Sequence, residues 1–235
     1  MTIITNLFIS SLGKKFIMAI TGMALFLFVV MHLLGNLQVF LGSEAINRYG
    51  HLLQSNPEII WPARIGLLFL VVLHVWSAIK LSAENKAARP VGYANAPVPV
   101  AASYASRTML MSGLIIAAFI IYHLLHYTAQ VQAINLTGKD FLTLHDDKGR
   151  HDVFAMMVTG FRQPLVSGFY ILAMALLCLH LSHGVSAMFQ SLGLNNHTYA
   201  PLLNRFAKVA VLIIFLGYVS IPIAVLLGYG KEVMK

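Results

Sequence analysis

Long uncharged runs set the tightest limit on what this chain can become. Residues without a formal charge run from Phe16 to Gly42, Thr108 to Gly138, Gln163 to Asn204 and Val209 to Gly230. At about 1.5 Å per helical residue, each is long enough to cross a hydrocarbon core of roughly 30 Å. A shorter run, Ile65 to Ile79, lies between Arg64 and Lys80. Both cations stand at its ends, where long side chains reach the headgroups, and Trp61 and Trp76 suit the interface. Of the 235 residues only 10% are charged and 58% are apolar, outside the range of soluble domains. The expectation is an all-α integral membrane protein with five transmembrane helices, about 15–41, 61–83, 106–130, 162–190 and 205–229. No repeat or separate soluble domain is visible, so residues 1–235 read as a single domain with its termini on opposite sides of the membrane.

Orientation follows from Lys and Arg near the helix ends. With the N-terminus inside, each side of the membrane holds eight cations, and the tally alone is even. The Lys14, Lys15 pair abuts the first helix, whereas Lys139, Lys148 and Arg150 belong to a long loop, which favours a cytoplasmic N-terminus. Seven of the eight carboxylates then lie outside, and the inner surface carries nearly all of the net charge of +8. Such a face suits anionic lipid or a soluble partner, and no nucleic-acid partner is expected. The single cysteine, Cys178, lies in the fourth helix and has no partner for an internal disulfide. Residues 83–105 form an Ala/Pro-rich inner loop expected to run extended. The outer segment 137–152, "TGKDFLTLHDDKGRHD", reads as a solvated loop, because its His145, His151 and aspartates lack metal-ligand spacing.

Six of the ten histidines fall inside the spans: His32, His74, His123, His126, His180 and His183. Polar groups at membrane depth are expensive, on the order of 2 to 3 kcal/mol even for charged ones on insertion scales, so each normally has a partner or a task. Counting at about 1.5 Å per residue places His32 roughly 25 Å from the inner end of helix one and His123 roughly 24 Å from that of helix three. His74 and His180, on helices running the other way, both fall in the inner half. One outer pair and one inner pair result, each drawn from alternate helices. Two bis-histidine haems need this arrangement, one axial ligand from each side of each iron, with small residues where the ring lies flat. Gly35 and Gly184 follow His32 and His180, and Gly22, Gly66, Gly113 and Gly168 occur in the same helices. Ser106, Arg107, Lys14 and Lys15 at inner helix ends are candidates to receive haem propionates.

These residues resemble a known family, the five-helix dihaem cytochrome b membrane anchor of succinate dehydrogenases and fumarate reductases. The similar segments are "FLFVVMHLLGN", "VVLHVWSAIKL", "SGLIIAAFIIYH" and "GFYILAMALLCLHLSHGVSAMFQSLG", which place a histidine in each of four successive helices. The resemblance implies that the first four helices form a haem-binding bundle for two b haems. His32 with His123 would hold the outer, distal haem, and His74 with His180 the inner, proximal one. It also implies a flavoprotein and an iron-sulfur subunit docked on one membrane face, with electrons passing from succinate to a membrane quinone, usually menaquinone, or in reverse to fumarate. The chain itself would carry out no succinate chemistry. It would reside in a bacterial cytoplasmic membrane, as part of a respiratory complex that can form higher oligomers. His126 and His183, one helical turn beyond His123 and His180, are expected to support the ligands or to act as alternative ligands.

In the family the quinone site lies near a haem and the membrane surface, and in some members an acidic residue between helices one and two matters. The corresponding segment here, "GSEAINRYGHLLQSNPEIIWPAR", offers His51, Glu58 and Arg64 as proton donor or carbonyl partners. Some related fumarate reductases carry an acidic residue within helix four as a proton route; no Asp or Glu occurs between Gln163 and Asn204 here. Two other classes compete. A histidine-relay proton-coupled transporter should show intramembrane carboxylates and broken helices, of which only an interruption at Pro222 in the fifth span is present. A non-haem metal enzyme should bring its histidines to one depth rather than two.

Overall fold

The computed structural model describes residues 3–88 and 104–234. The described residues are 82% helical and include no strand. Among the described residues five helices are long and apolar enough to span a membrane, as the uncharged runs predict. Of the Ala/Pro-rich segment 83–105, residues 89–103 lie outside the described residues, while 83–87 and 104–105 are helical rather than extended.

The long helices begin and end where local chemistry requires. Helix α1, Ser11–Leu37, starts where the Gly13 amide donates to the Ser10 hydroxyl at 2.9 Å, an N-cap bond. It tightens into a 3-10 turn over Gln38–Leu41 and stops at Gly42, whose φ of 99° suits a residue without a side chain. A short amphipathic helix, α2, Ser43–Gln54, occupies the connection that follows. Helix α3, Pro57–Ala87, opens on a proline, whose missing N–H is one that a first turn leaves unpaired anyway. Helix α4, Met109–His123, runs into a π turn, Leu124–Thr128, with the Ala129 amide bonded to the Leu124 carbonyl at 2.7 Å. Helix α5, Val153–Phe161, is followed by α6, Pro164–Ser191, again opened by proline, and by α7, Ala200–Leu226. Pro222 does not interrupt the fifth span: α7 remains helical through it to Leu226. Apolar side chains such as Leu27, Met31, Leu68, Phe69, Leu212 and Leu216 are exposed, as lipid-facing residues are.

The chain divides into two compact units, each assembled from three segments. The first gathers Met1–Phe28, Ile65–Leu114 and Leu179–Val211; the second gathers Val29–Arg64, Ile115–Cys178 and Leu212–Lys235. In the first, the ammonium of Lys14 is buried, donating to the Ile9 carbonyl at 2.6 Å and pairing with Glu84 at 2.7 Å. A buried cation needs both kinds of partner to offset its lost hydration.

The second unit holds a contiguous apolar core that includes Val39, Ile46, Phe119, Phe154, Val158 and Ile221. Helix α5 lies within it, with every residue from Phe154 to Phe161 buried. The Asp152 carboxylate caps this helix by accepting from the Ala155 amide at 2.9 Å. The expected solvated loop is corrected here. Phe141 is fully buried, and Arg150 binds both Asp146 and Glu44 at 2.7 Å. Asn47, buried on α2, donates to Asp152 at 3.0 Å and accepts from the Phe154 amide at 2.9 Å. His145 and Asp147 remain exposed, whereas His151 is half-buried with its Nε2 3.0 Å from the Gln130 amide nitrogen. Charges distant in sequence neutralise one another, so the segment folds as a cap.

Candidate functional site

Two histidine pairs form, one in each unit. In the first unit His74 of α3 and His180 of α6 stand with ring centroids 6.4 Å apart and planes at 67°. Each imidazole rests on a glycine: a Cβ at Gly22 would lie 3.2 Å from His74 Cε1, and one at Gly113 would lie 3.2 Å from His180 Cε1. A hydroxyl beside each glycine takes the Nδ1 nitrogen, Thr21 Oγ1 at 3.1 Å from His74 and Ser112 Oγ at 3.3 Å from His180. Both hydroxyls direct their own proton to a backbone carbonyl, Thr21 to Ile17 at 2.7 Å and Ser112 to Met109 at 3.1 Å. They therefore accept from the rings. Nδ1 carries the hydrogen on both histidines, and Nε2 is left with a free lone pair.

In the second unit His32 of α1 and His123, the last residue of α4, have centroids 5.8 Å apart and planes at 81°. Tyr218 packs near His32 at 6.3 Å, and Phe119 stacks on His123 at 6.1 Å. The Tyr170 hydroxyl lies 3.3 Å from His123 Nδ1 and 3.1 Å from His126 Nδ1. His126 sits in the π turn, fully buried, its ring stacked on Tyr127 at 4.0 Å. Single π turns recur where a helix re-aims a functional side chain. His183 is half-buried, one turn past His180.

Two facing imidazoles bound to one metal through Nε2 have centroids roughly 6 Å apart, from two bonds of about 2 Å and a ring offset of about 1 Å on each side. Both pairs match that spacing. Three buried polar atoms one turn beyond a paired histidine also lack a hydrogen-bond partner among the described residues: Ser77 Oγ after His74, and His126 Nε2 and the Tyr127 hydroxyl after His123. Such atoms forfeit about 1–3 kcal/mol each if nothing satisfies them, so both units fit an additional polar group. The residues suit haem iron held by His74 with His180 and by His32 with His123. Among the described residues no group of three or more His, Cys, Asp or Glu is placed to hold a metal ion.

Some expectations from sequence fall elsewhere. Gly35 faces Tyr49, Gly184 faces Met109, and Gly66 and Gly168 face open space, so the glycines at the imidazoles are Gly22 and Gly113. Of the suggested inner cations, Lys14 is engaged by Glu84, while Lys15 and Arg107 are exposed. His51, Glu58 and Arg64 are all exposed, on two different helices. The Arg64 guanidinium stacks over the Trp61 ring at 5.2 Å. Glu58 and Arg64, six positions apart on α3, are offset by about 120° around its axis and share no face.

Thr21, Ser112, Tyr170 and Ser77 escaped the sequence reading. The visible signal for the first two was the doublet of a hydroxyl residue and glycine in mid-span, Thr21-Gly22 and Ser112-Gly113. In the cap, hydrogen bonds from Arg150 and then Lys148 hold the Glu44 carboxyl at about 2. Burial would raise Asp146, but its bonds from Arg150 prevail and hold it at about 2 as well. Burial lowers His151 below the usual imidazole value. No family model, curated protein or solved structure matches the chain.

Proposed function

We propose that this chain is the dihaem cytochrome b anchor of a succinate:quinone oxidoreductase, as its resemblance to that family implies. His74 with His180 would hold one b haem and His32 with His123 the other. The observation that carries the reading is the pair of imidazole separations, 6.4 Å and 5.8 Å, each near the width of a bis-histidine iron site. The haems would supply one-electron carriers between an iron-sulfur subunit and a membrane quinone, in the family usually menaquinone.

The chain's own residues prepare those sites. Thr21 and Ser112 hold hydrogen on Nδ1 of His74 and His180 and leave Nε2 as the ligand atom. Gly22 and Gly113 let each ring lie against a helix backbone, and the apolar helices would keep bulk water from the iron. A flavoprotein and an iron-sulfur subunit are the proposed partners, on a basic face of the bacterial cytoplasmic membrane, with the N-terminus cytoplasmic. His51, Glu58 and Arg64 remain the proposed quinone-side residues, with their exposure as the supporting feature.

The test is an absorption spectrum of the purified chain reduced with dithionite, with a pyridine-haemochrome assay. Low-spin b-type bands and two haems per chain are expected. A chain without them, or with a clearly different stoichiometry, is not a dihaem cytochrome.

A further inference from the structure

We propose that Tyr170 is the positioning residue of the His32–His123 pair, and that its hydroxyl couples the hydrogen-bond polarity of His123 to His126. The inference rests on the reading of His123 as an axial ligand. One phenol oxygen lies within reach of two Nδ1 atoms, 3.3 Å from His123 and 3.1 Å from His126. A phenol has one proton. It donates to one imidazole and accepts from the other, so the three groups form a chain with two possible directions.

In one direction His123 Nδ1–H donates to Tyr170, and Tyr170 donates to His126 Nδ1. His123 Nε2 is then a free lone pair, and His126 carries its hydrogen on Nε2. In the reverse direction His126 donates to Tyr170 and Tyr170 to His123, which places the hydrogen of His123 on Nε2 and blocks it as a ligand. Iron at His123 therefore selects the first direction. The cost appears at His126 Nε2, a fully buried atom with no partner among the described residues.

Packing keeps the phenol in place. Tyr170 is 7% exposed and its ring is wedged edge-on against Phe119 at 5.0 Å and Phe161 at 5.1 Å. The other pair has no such freedom, because Thr21 and Ser112 commit their protons to backbone carbonyls. A ligand histidine that donates its second N–H to an acceptor is a stronger base at iron and favours the oxidised metal. Tyr170 thus tunes one haem and leaves the other alone.

The experiment is an optical redox titration of the haem-loaded full chain. Tyr170→Phe is expected to shift one of the two midpoint potentials upward and leave the second in place. The shifted haem should be the one retained in a His180→Ala chain. His126→Leu should shift the same haem upward by less, and His126→Gln, whose amide oxygen accepts from Tyr170, should return it toward the wild-type value. Movement of neither potential, of both together, or of the His180-dependent haem overturns the proposal. Should Tyr170→Phe lose the haem altogether, the two His126 variants decide, and identical potentials for them overturn it. A wild-type chain that binds no haem would instead fail the functional reading itself, before any variant is compared.

Discussion

The first unit holds its histidines with short, committed partners, whereas the second holds them in an aromatic nest with a shared one. His74 and His180 each meet a glycine backbone and a hydroxyl whose own proton is already engaged. Their nitrogens are fixed with almost no side-chain bulk. His123 is surrounded by Phe119, Tyr127 and Tyr170, and its Nδ1 shares a phenol with His126. The same inter-ring spacing is thus reached in two ways: one by removing side-chain volume so that the helix backbone does the holding, the other by filling space with rings. The first solution is rigid in hydrogen-bond direction; the second can reverse. Among the described residues, a folded cap and a buried accessory helix occur in the second unit alone.

The largest effect should come from the histidines themselves. Replacing His74 or His180 with alanine is expected to remove one haem and keep the other, and His32 or His123 the converse. Pyridine-haemochrome content halving in each case would support the division into two pairs, and loss of both haems from any single change would break it. Next in size, Phe154→Ala should destabilise the second unit by about 3–5 kcal/mol by opening a cavity in its core. Thermal unfolding followed at both haem bands should lose the His32–His123 signal first. Gly113→Val would press a branched side chain into the imidazole of His180, which already lies 3.2 Å from the site of a Cβ. A loss of about 1–3 kcal/mol is expected, together with a broadened spectrum for that haem alone.

Thr21→Val should do less, roughly 1 kcal/mol, because the bonds lost with its hydroxyl are neutral and the Ile17 carbonyl keeps its helical partner. Its shift in potential should be smaller than that of Tyr170→Phe, and a larger one would reverse the contrast between the units. The mildest test is acid. Glu44 and Asp146 titrate at about 2 when paired, against ordinary values of 4.5 and 3.8, so an unfolded cap takes up protons first as pH falls. The cap is fully stabilised above about pH 4.5 and weakens toward pH 2. Limited proteolysis of segment 137–152 should rise over that window, with Arg150→Ala already cleaved at neutral pH.

The spans were legible because a membrane imposes length and apolarity on every crossing, and both are local properties of the sequence. His74 with His180 and His32 with His123 could be paired by counting residues along straight helices, and the structure brings those rings together. What counting misses is azimuth. Gly35 and Gly184 follow histidines in sequence yet face Tyr49 and Met109, while Gly22 and Gly113 lie on other helices. Helix α5 was invisible for a different reason: "VFAMMVTGF" is too short to register as a span and too apolar to register as a loop. The cap was misjudged because its neutralising partner, Glu44, lies about a hundred residues before Arg150.

The π turn at Leu124–Thr128 has a consequence for how this chain tolerates change in length. An i to i+5 turn holds one more residue than the α turn it replaces, so a single deletion there could be absorbed by reverting to α geometry without breaking the helix. Loss of Leu124 or Leu125 would turn His126, inside the bulge, by about 100° relative to His123, while residues beyond the turn keep their direction. His126 would leave Tyr170. Elsewhere in the membrane helices a one-residue deletion disturbs packing around a fixed ligand. In this turn it would leave the ligand standing and rewire what it is bonded to.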